Sequence, residues 1–322
     1  MSVACVEVTA PSRLHFGMFS FGHPGTRQFG GVGVMIDEPG LRLRMTRTSE
    51  FRATGPLADR VKVILDRLRE QPALAAIPAC HIEVVAAPPD HVGLGTGTQL
   101  SLAVAAGCHA LAGGSPLSAE ALARLTGRGV RSAIGTYGFV QGGLLVEPGK
   151  LVGELLSPLE HRVALPAEWR FVLITPATER GLSGEAEQMA FRDLPAVPPE
   201  VSETLRREVI ENLVPAAQAG DIEQFGQSVY RFGHAAGLCF AARQGGAFAS
   251  PRIAMLVDRI RELGVAGVGQ TSWGPTVFAV APNQDAAEQL IDRLAIWLTD
   301  ADRMVIARAN SSGATIRLVS DP

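Results

Sequence analysis

Between Pro88 and Gly107 the chain reads Pro-Pro-Asp-His-Val-Gly-Leu-Gly-Thr-Gly-Thr-Gln-Leu-Ser-Leu-Ala-Val-Ala-Ala-Gly, and this stretch constrains the fold more than any other. Gly93, Gly95 and Gly97 alternate through a tight loop that opens directly into an apolar, alanine-rich helix. Glycine lets the backbone turn its N–H groups inward with no Cβ in the way. The helix start adds unpaired N–H donors and about half a positive charge. Together they predict an anion cradle for phosphate or pyrophosphate. Thr96, Thr98 and Gln99 offer hydroxyl and amide groups to a phosphate oxygen or a bound metal. The same glycine pattern also occurs as a plain turn that starts a helix, so function has to come from the rest of the chain.

The flanking pattern predicts alternating strands and helices. Residues 3–9 alternate as a strand, followed by a turn-like Ala10–Gly17 and by a glycine-rich 17–33 that reads as a loop folding over a ligand. Residues 41–46 and 81–86 read as strands. Asp59–Glu70 has helical spacing, with Val61, Ile64, Leu65 and Leu68 on one face. The helix after the glycine loop, from about Thr98, stops at Gly113-Gly114, and Ser118 opens another to about Leu125. Composition loosens over 150–168, which divides the chain into 1–165 and 166–322. The second half predicts a strand at 171–175, a proline-rich loop at 193–200, and helices at 202–218, 221–236 and 251–263. A strand at 276–281, a helix at 284–299 and a last strand at 314–319 complete it. The fold class is α/β (α+β), the second domain an α/β sandwich of ferredoxin-like type.

Composition excludes several function classes. Over 322 residues the net charge is −3, so no global basic field collects nucleic acid or anionic membrane. The longest apolar run, near 100–112, is too short to span a bilayer. Cys5, Cys80, Cys108 and Cys239 have no metal-ligand spacing and read as reduced thiols. With no apolar leader at the start, the expected location is the cytoplasm.

Four further segments carry candidate chemistry. Thr126–Gly143 is dense in glycine and reads as a binding loop. It places Arg128, Arg131 and Ser132 where two guanidiniums can grip a phosphate or carboxylate. Arg13 and His15 flank Leu14 on a strand and point to one face, pairing an anion contact with an acid/base group. In Val268–Phe278, Gln270, Thr271 and Ser272 can line a site and Trp273 offers a flat face for stacking. After the 171–175 strand, Glu179, Arg180, Glu185 and Glu187 are candidates for a hydrated cation and its phosphate ligand, the last two equally for helix-dipole pairing.

Taken together, these segments resemble the β-ribofuranosylaminobenzene 5′-phosphate synthase family, a divergent branch of the GHMP kinase superfamily. Ala-Pro-Ser-Arg-Leu-His-Phe-Gly (10–17) resembles the superfamily's first motif, Gly-Leu-Gly-Thr-Gly-Thr-Gln (93–99) its second and Gly-Gln-Thr-Ser-Trp-Gly-Pro-Thr-Val (269–277) its third. The resemblance spans nearly the whole chain. It implies a GHMP-type N-terminal α/β domain, a ferredoxin-like C-terminal domain and a homodimer. It also implies a decarboxylating phosphoribosyl transfer in tetrahydromethanopterin synthesis. Phosphoribosyl pyrophosphate would join 4-hydroxybenzoate or 4-aminobenzoate as a C-riboside, releasing CO2 and pyrophosphate. Mg²⁺ would accompany the pyrophosphate, with no organic cofactor and with metal ligands unassigned. In this reading His15 or Glu179 handles a proton. The substrate-binding set is Arg13, Gly93, Gly95, Thr96, Gly97, Thr98, Gln99, Arg128, Arg131, Ser132, Arg180, Gln270, Ser272 and Trp273. The third motif departs from the kinases in carrying bulky side chains, and neither lysine, Lys62 or Lys150, lies in a motif. The alternatives are a GHMP-type ATP-dependent small-molecule kinase and a non-catalytic phosphometabolite-binding regulator.

Overall fold

The structure, a computed structural model, describes residues 5–71, 77–179, 181, 189 and 191–319. Two sheets organise them. In the first, strands run in the order β11-β1-β2-β4-β3, with β5 on β2 and β6 on β5. These are β1 (Cys5–Ser20), β2 (Phe29–Arg47), β3 (Arg52–Thr54), β4 (Cys80–Ala86), β5 (Leu144–Glu147), β6 (His161–Val163) and β11 (Thr315–Val319). All pairs are antiparallel except β3 with β4. Helices α1 (Ala58–Arg69), α2 (Thr96–Leu111), α3 (Ala119–Thr126) and α4 (Ile134–Gln141) accompany this sheet. Val8, Leu43, Met45 and Ile82 of the sheet pack with Val61 and Leu65 of α1 and Leu100 and Val104 of α2. The apolar stripe read from 59–70 is therefore a core face, and burial of such side chains drives the layer together.

The second sheet has the order β10-β7-β9-β8, formed by β7 (Arg170–Thr175), β8 (Val268–Gln270), β9 (Val277–Ala281) and β10 (Arg303–Arg308). In sequence order that is 4-1-3-2, the ferredoxin-like arrangement expected. Its helices are α5 (Pro199–Arg207), a π-helical Glu208–Leu213 continuing into α6 (Val214–Ala219), then α7 (Ile222–Leu238), α8 (Ala241–Gln244), α9 (Pro251–Glu262) and α10 (Gln284–Leu294). One face packs on α9 and α10 through Val172, Ile174, Ile253, Leu256 and Leu290. The other face meets α7 and the first sheet, with Leu14, Phe16 and Val34 against Phe171, Phe232 and Phe278. This shared core holds the two halves together.

Four expectations change. The turn-like Ala10–Gly17 is strand: β1 runs through it, with register shifts between Ala10 and Ser12 and between His15 and Gly17. Pro11 sits in the first of these, where its missing N–H costs no ladder bond. The glycine-rich 17–33 is mostly hairpin, with Gly17, Gly31 and Gly33 in the β1–β2 ladder and Gly17 also lining a cavity beside His15. A Cβ at Gly33 would lie 2.5 Å from the Leu14 carbonyl oxygen. Thr126–Gly143 is not one loop, because α4 occupies its second half. The strand at 314–319 does not close the second sheet but pairs with β1. The closing strand is β10, which pairs with β7.

Candidate functional site

The glycine loop forms as its residue types dictate. Gly93 and Gly95 hold φ of 89° and 73°, and Gly95 is the N-cap of α2 with no side chain capping the first turn. The loop is tied to β1 by the Arg13 N–H, which donates to the Leu94 carbonyl at 3.0 Å. It is tied to the 271–274 segment by the Thr271 hydroxyl, which donates to the Gly93 carbonyl at 3.0 Å. That segment is in turn bound to β1: the Ser272 N–H donates to the His15 carbonyl and the His15 N–H to Thr271 Oγ1. The three motifs read from the sequence thus meet in one place.

Three cavities open around them. A basic cavity of about 500 Å³ is lined by the loop from Gly93 to Thr98 together with Arg13, Arg60, Asp90, His91 and Arg128. A neighbouring one of about 550 Å³ shares Arg13, Thr98 and Arg128 and adds His15, Arg131, Ser132 and Arg192. A narrow slot of about 50 Å³ is lined by Phe16, Met18, Phe240, Phe248 and Trp273 with His15, Gln244 and Gln270, and carries no charged side chain. Ser272 lines all three, at φ 52°. A non-glycine residue held in that region where three cavities meet is the kind of strain found at ligand sites.

The electrostatics suit an anion on one side and a neutral ring on the other. Arg128 is largely buried and donates to Ser101 Oγ from two nitrogens, at 2.9 and 3.3 Å. Burial, then the nearby Arg60 and Arg67 charges, lower its pKa. Arg131 lies over the Phe191 ring, 5.1 Å from its centroid. His15 is 2 % exposed. Burial first, and Arg13 second, push its imidazole well below 6.5, so it is neutral at pH 7. Its Nε2 lies 3.3 Å from Ser132 Oγ.

The remaining sequence candidates are held by contacts within the protein or lie away from these cavities. Gln99 is buried and donates from Nε2 to the Gly135 carbonyl at 2.9 Å, locking α2 to α4. Thr96 donates to the Pro89 carbonyl. Gln270 lines the slot but is engaged by the Ala249 N–H and the Ser272 carbonyl. Trp273 is 9 % exposed and meets Phe191 and Phe240 edge-on, so it is a buried wall rather than the open stacking face expected. Glu179 lines none of these three cavities and accepts from Ser250 Oγ at 3.0 Å. Arg180, Glu185 and Glu187 lie outside the described residues.

Sequence reasoning missed Arg60, Asp90 and Glu147. Arg60 is 35 positions ahead of Gly95 on a helix whose pattern signalled only its core face. Glu147 ends the apolar run Leu144–Glu147 and is fully buried, accepting the Ala133 N–H with both oxygens at 2.9 Å. Burial raises its pKa, opposed by hydrogen bonds from Ser132, Ala133, Ser157 and Ile134. It anchors the 128–133 segment at the start of α4, and a carboxylate within an apolar strand was the available signal.

Comparison with known proteins accords with this geometry. The GHMP kinases N terminal domain family matches residues 59–143, and the GHMP kinases C terminal family residues 213–300. The chain is 30% identical over 296 residues to beta-ribofuranosylphenol 5'-phosphate synthase of Methanothermobacter thermautotrophicus, covering 85% of this chain and 88% of that one. It is 29% identical to the protein of the same name from Archaeoglobus fulgidus, over 85% and 87%. Among solved structures, homoserine kinase from Cytophaga hutchinsonii superposes with a TM-score of 0.68 at 18% identity, over 97% of each chain. Mevalonate diphosphate decarboxylase from Staphylococcus aureus gives 0.66 at 15%, over 98% of each. The fold is therefore that of the GHMP kinases. Among the described residues no helix is long and apolar enough to cross a membrane.

Proposed function

The chain belongs to the beta-ribofuranosylphenol 5'-phosphate synthase family, and from that premise we propose that it is a decarboxylating phosphoribosyltransferase joining phosphoribosyl pyrophosphate to 4-hydroxybenzoate. The observation that carries the proposal is the meeting of a strongly basic double cavity with an uncharged aromatic slot at Ser272 and His15. One side suits a diphosphorylated sugar and the other a flat ring. The phenol in the relatives' name favours the hydroxy acceptor over the amino one.

In this reading the first-turn amides of α2 and Arg13 take the diphosphate, and Arg128 and Arg131 take the 5′-phosphate. The acceptor's para substituent points into the slot and its carboxyl-bearing carbon faces the ribose. The C1–oxygen bond to diphosphate breaks as the ring carbon bonds to C1 from the opposite face, giving the β anomer. The ring–carboxylate bond then breaks, CO2 leaves, and its electron pair restores aromaticity. Preorganised donors offset the charge gathering on the leaving group. Alignment of the two substrates supplies several further kcal/mol. Neutral His15 accepts the proton of the para hydroxyl while the ring carries positive charge and returns it afterwards.

Among the described residues no group of three acidic, histidine or cysteine side chains converges as a metal cage. Glu185 and Glu187, candidates for holding a cation, lie outside the described residues. Mg²⁺ would accompany the diphosphate as its counter-ion.

Carboxyl-labelled 4-hydroxybenzoate with phosphoribosyl pyrophosphate tests the proposal. Labelled CO2 and pyrophosphate in equal amounts are expected. ADP formed from ATP and an alcohol, with no CO2, would assign a kinase instead. Binding without turnover would assign a regulator.

A further inference from the structure

Arg60, in the first turn of α1, forms an ion pair with Asp90, just ahead of the glycine loop. Their side chains are 36% and 27% exposed, and a pair so open to solvent adds little to stability. Its place says more. Both residues line the basic cavity beside the start of α2. Gly97, inside the first turn of α2, has no positive φ that would demand glycine, yet a Cβ there would overlap the Arg60 guanidinium. The missing side chain keeps room for that guanidinium over the anion-binding end of the helix. The lowered pKa of Arg128 shows the same crowding of positive charge, with Arg60 among its causes after burial.

We propose that Arg60 is a diphosphate-binding arginine held in the free protein by Asp90, which the incoming diphosphate displaces. The inference rests on reading this cavity as the diphosphate site. A diphosphate carries more charge than one carboxylate and offers oxygens to both edges of a guanidinium. Asp90 also places a negative charge at the mouth of the cavity, which an anion must outcompete. Singly charged ligands compete poorly for Arg60, so the pair selects for diphosphate.

Calorimetric titration with inorganic pyrophosphate at fixed ionic strength tests this on the full chain. Arg60→Gln weakens binding by about tenfold, equivalent to about 1.4 kcal/mol. Asp90→Asn tightens it by roughly threefold in the native background and by clearly less in Arg60→Gln, where only the repulsion at the cavity mouth is relieved. Gly97→Ala keeps both charges, displaces the guanidinium and weakens binding. Unaltered melting temperatures certify the fold of each variant. Arg60→Gln binding within about twofold of the native protein, or tightening by Asp90→Asn that is as large without Arg60 as with it, overturns the inference while the cavity assignment stands. A native protein that does not bind pyrophosphate overturns the cavity assignment as well.

Discussion

Alanine at Gly93 combines two costs that glycine avoids there. The first is conformational: Gly93 sits at φ 89°, where a Cβ costs about 1–2 kcal/mol. The second is steric. The added Cβ would lie 2.9 Å from Gly274 Cα and 3.1 Å from Gly274 N, and closer still to the Thr271 carbonyl oxygen. All three are backbone atoms fixed by the bonds that join 271–274 to β1, so no side chain can swing away. If the segments part, the Thr271-to-Gly93 hydrogen bond is lost, at about 1 kcal/mol. Gly113→Ala is the matched control, at φ 87° with nothing within 4 Å of the new Cβ. It carries the first cost alone. Because the first cost is common to both, denaturant titration should place Gly93→Ala about 1 kcal/mol below Gly113→Ala. Turnover should fall on the order of 100-fold for Gly93→Ala alone, because a shift of about 1 Å in a substrate-positioning loop costs that much. Equal destabilisation with equal turnover would show that the contact between the second and third motifs is not what the glycine protects.

Glu147→Ala leaves the buried Ala133 N–H without its acceptor and should lower stability by about 1–3 kcal/mol, read by thermal melting, whereas Glu147→Gln, which retains an acceptor oxygen, should lose less. His15 has a folded pKa below its unfolded 6.5, so its contribution to stability is full above pH 6.5. It is lost as pH falls from there toward the folded pKa. In His15→Gln the decline in melting temperature below pH 6.5 should therefore be shallower, and an unchanged slope would contradict it. Arg131→Ala should raise the KM for phosphoribosyl pyrophosphate by about tenfold or more. Steady-state kinetics at saturating acceptor would detect this, and unchanged kinetics would remove Arg131 from the phosphate site.

The chemistry-bearing motifs were legible in the sequence because each depends on short-range rules. Alternating glycines before an apolar helix, an Arg-x-His pair on a strand and a polar stretch before β9 all declare themselves within about ten residues. So did the main helices, whose periodic faces became the cores around α1, α7 and α9. What lay beyond local rules was decided by pairing. Nothing in Arg303–Arg308 or Thr315–Val319 says which one closes the second sheet, since each is a short extended run and only its partner strand distinguishes it. Pro11 looked like a turn because a proline interrupts a ladder, yet a register shift accommodates it inside β1. Gln99 and Trp273 have the right chemistry for ligands, but tertiary packing turned one to the Gly135 carbonyl and enclosed the other among phenylalanines. Arg60 and Glu147 entered the site only by folding, the first carried on α1 to the cavity and the second buried under the start of α4. The sequence by itself determined that residues 93–99 form a glycine turn opening into the apolar helix α2. The tertiary structure decided which guanidiniums surround that turn and that an uncharged slot opens beside it, because those neighbours are set by layer packing between residues far apart in the chain.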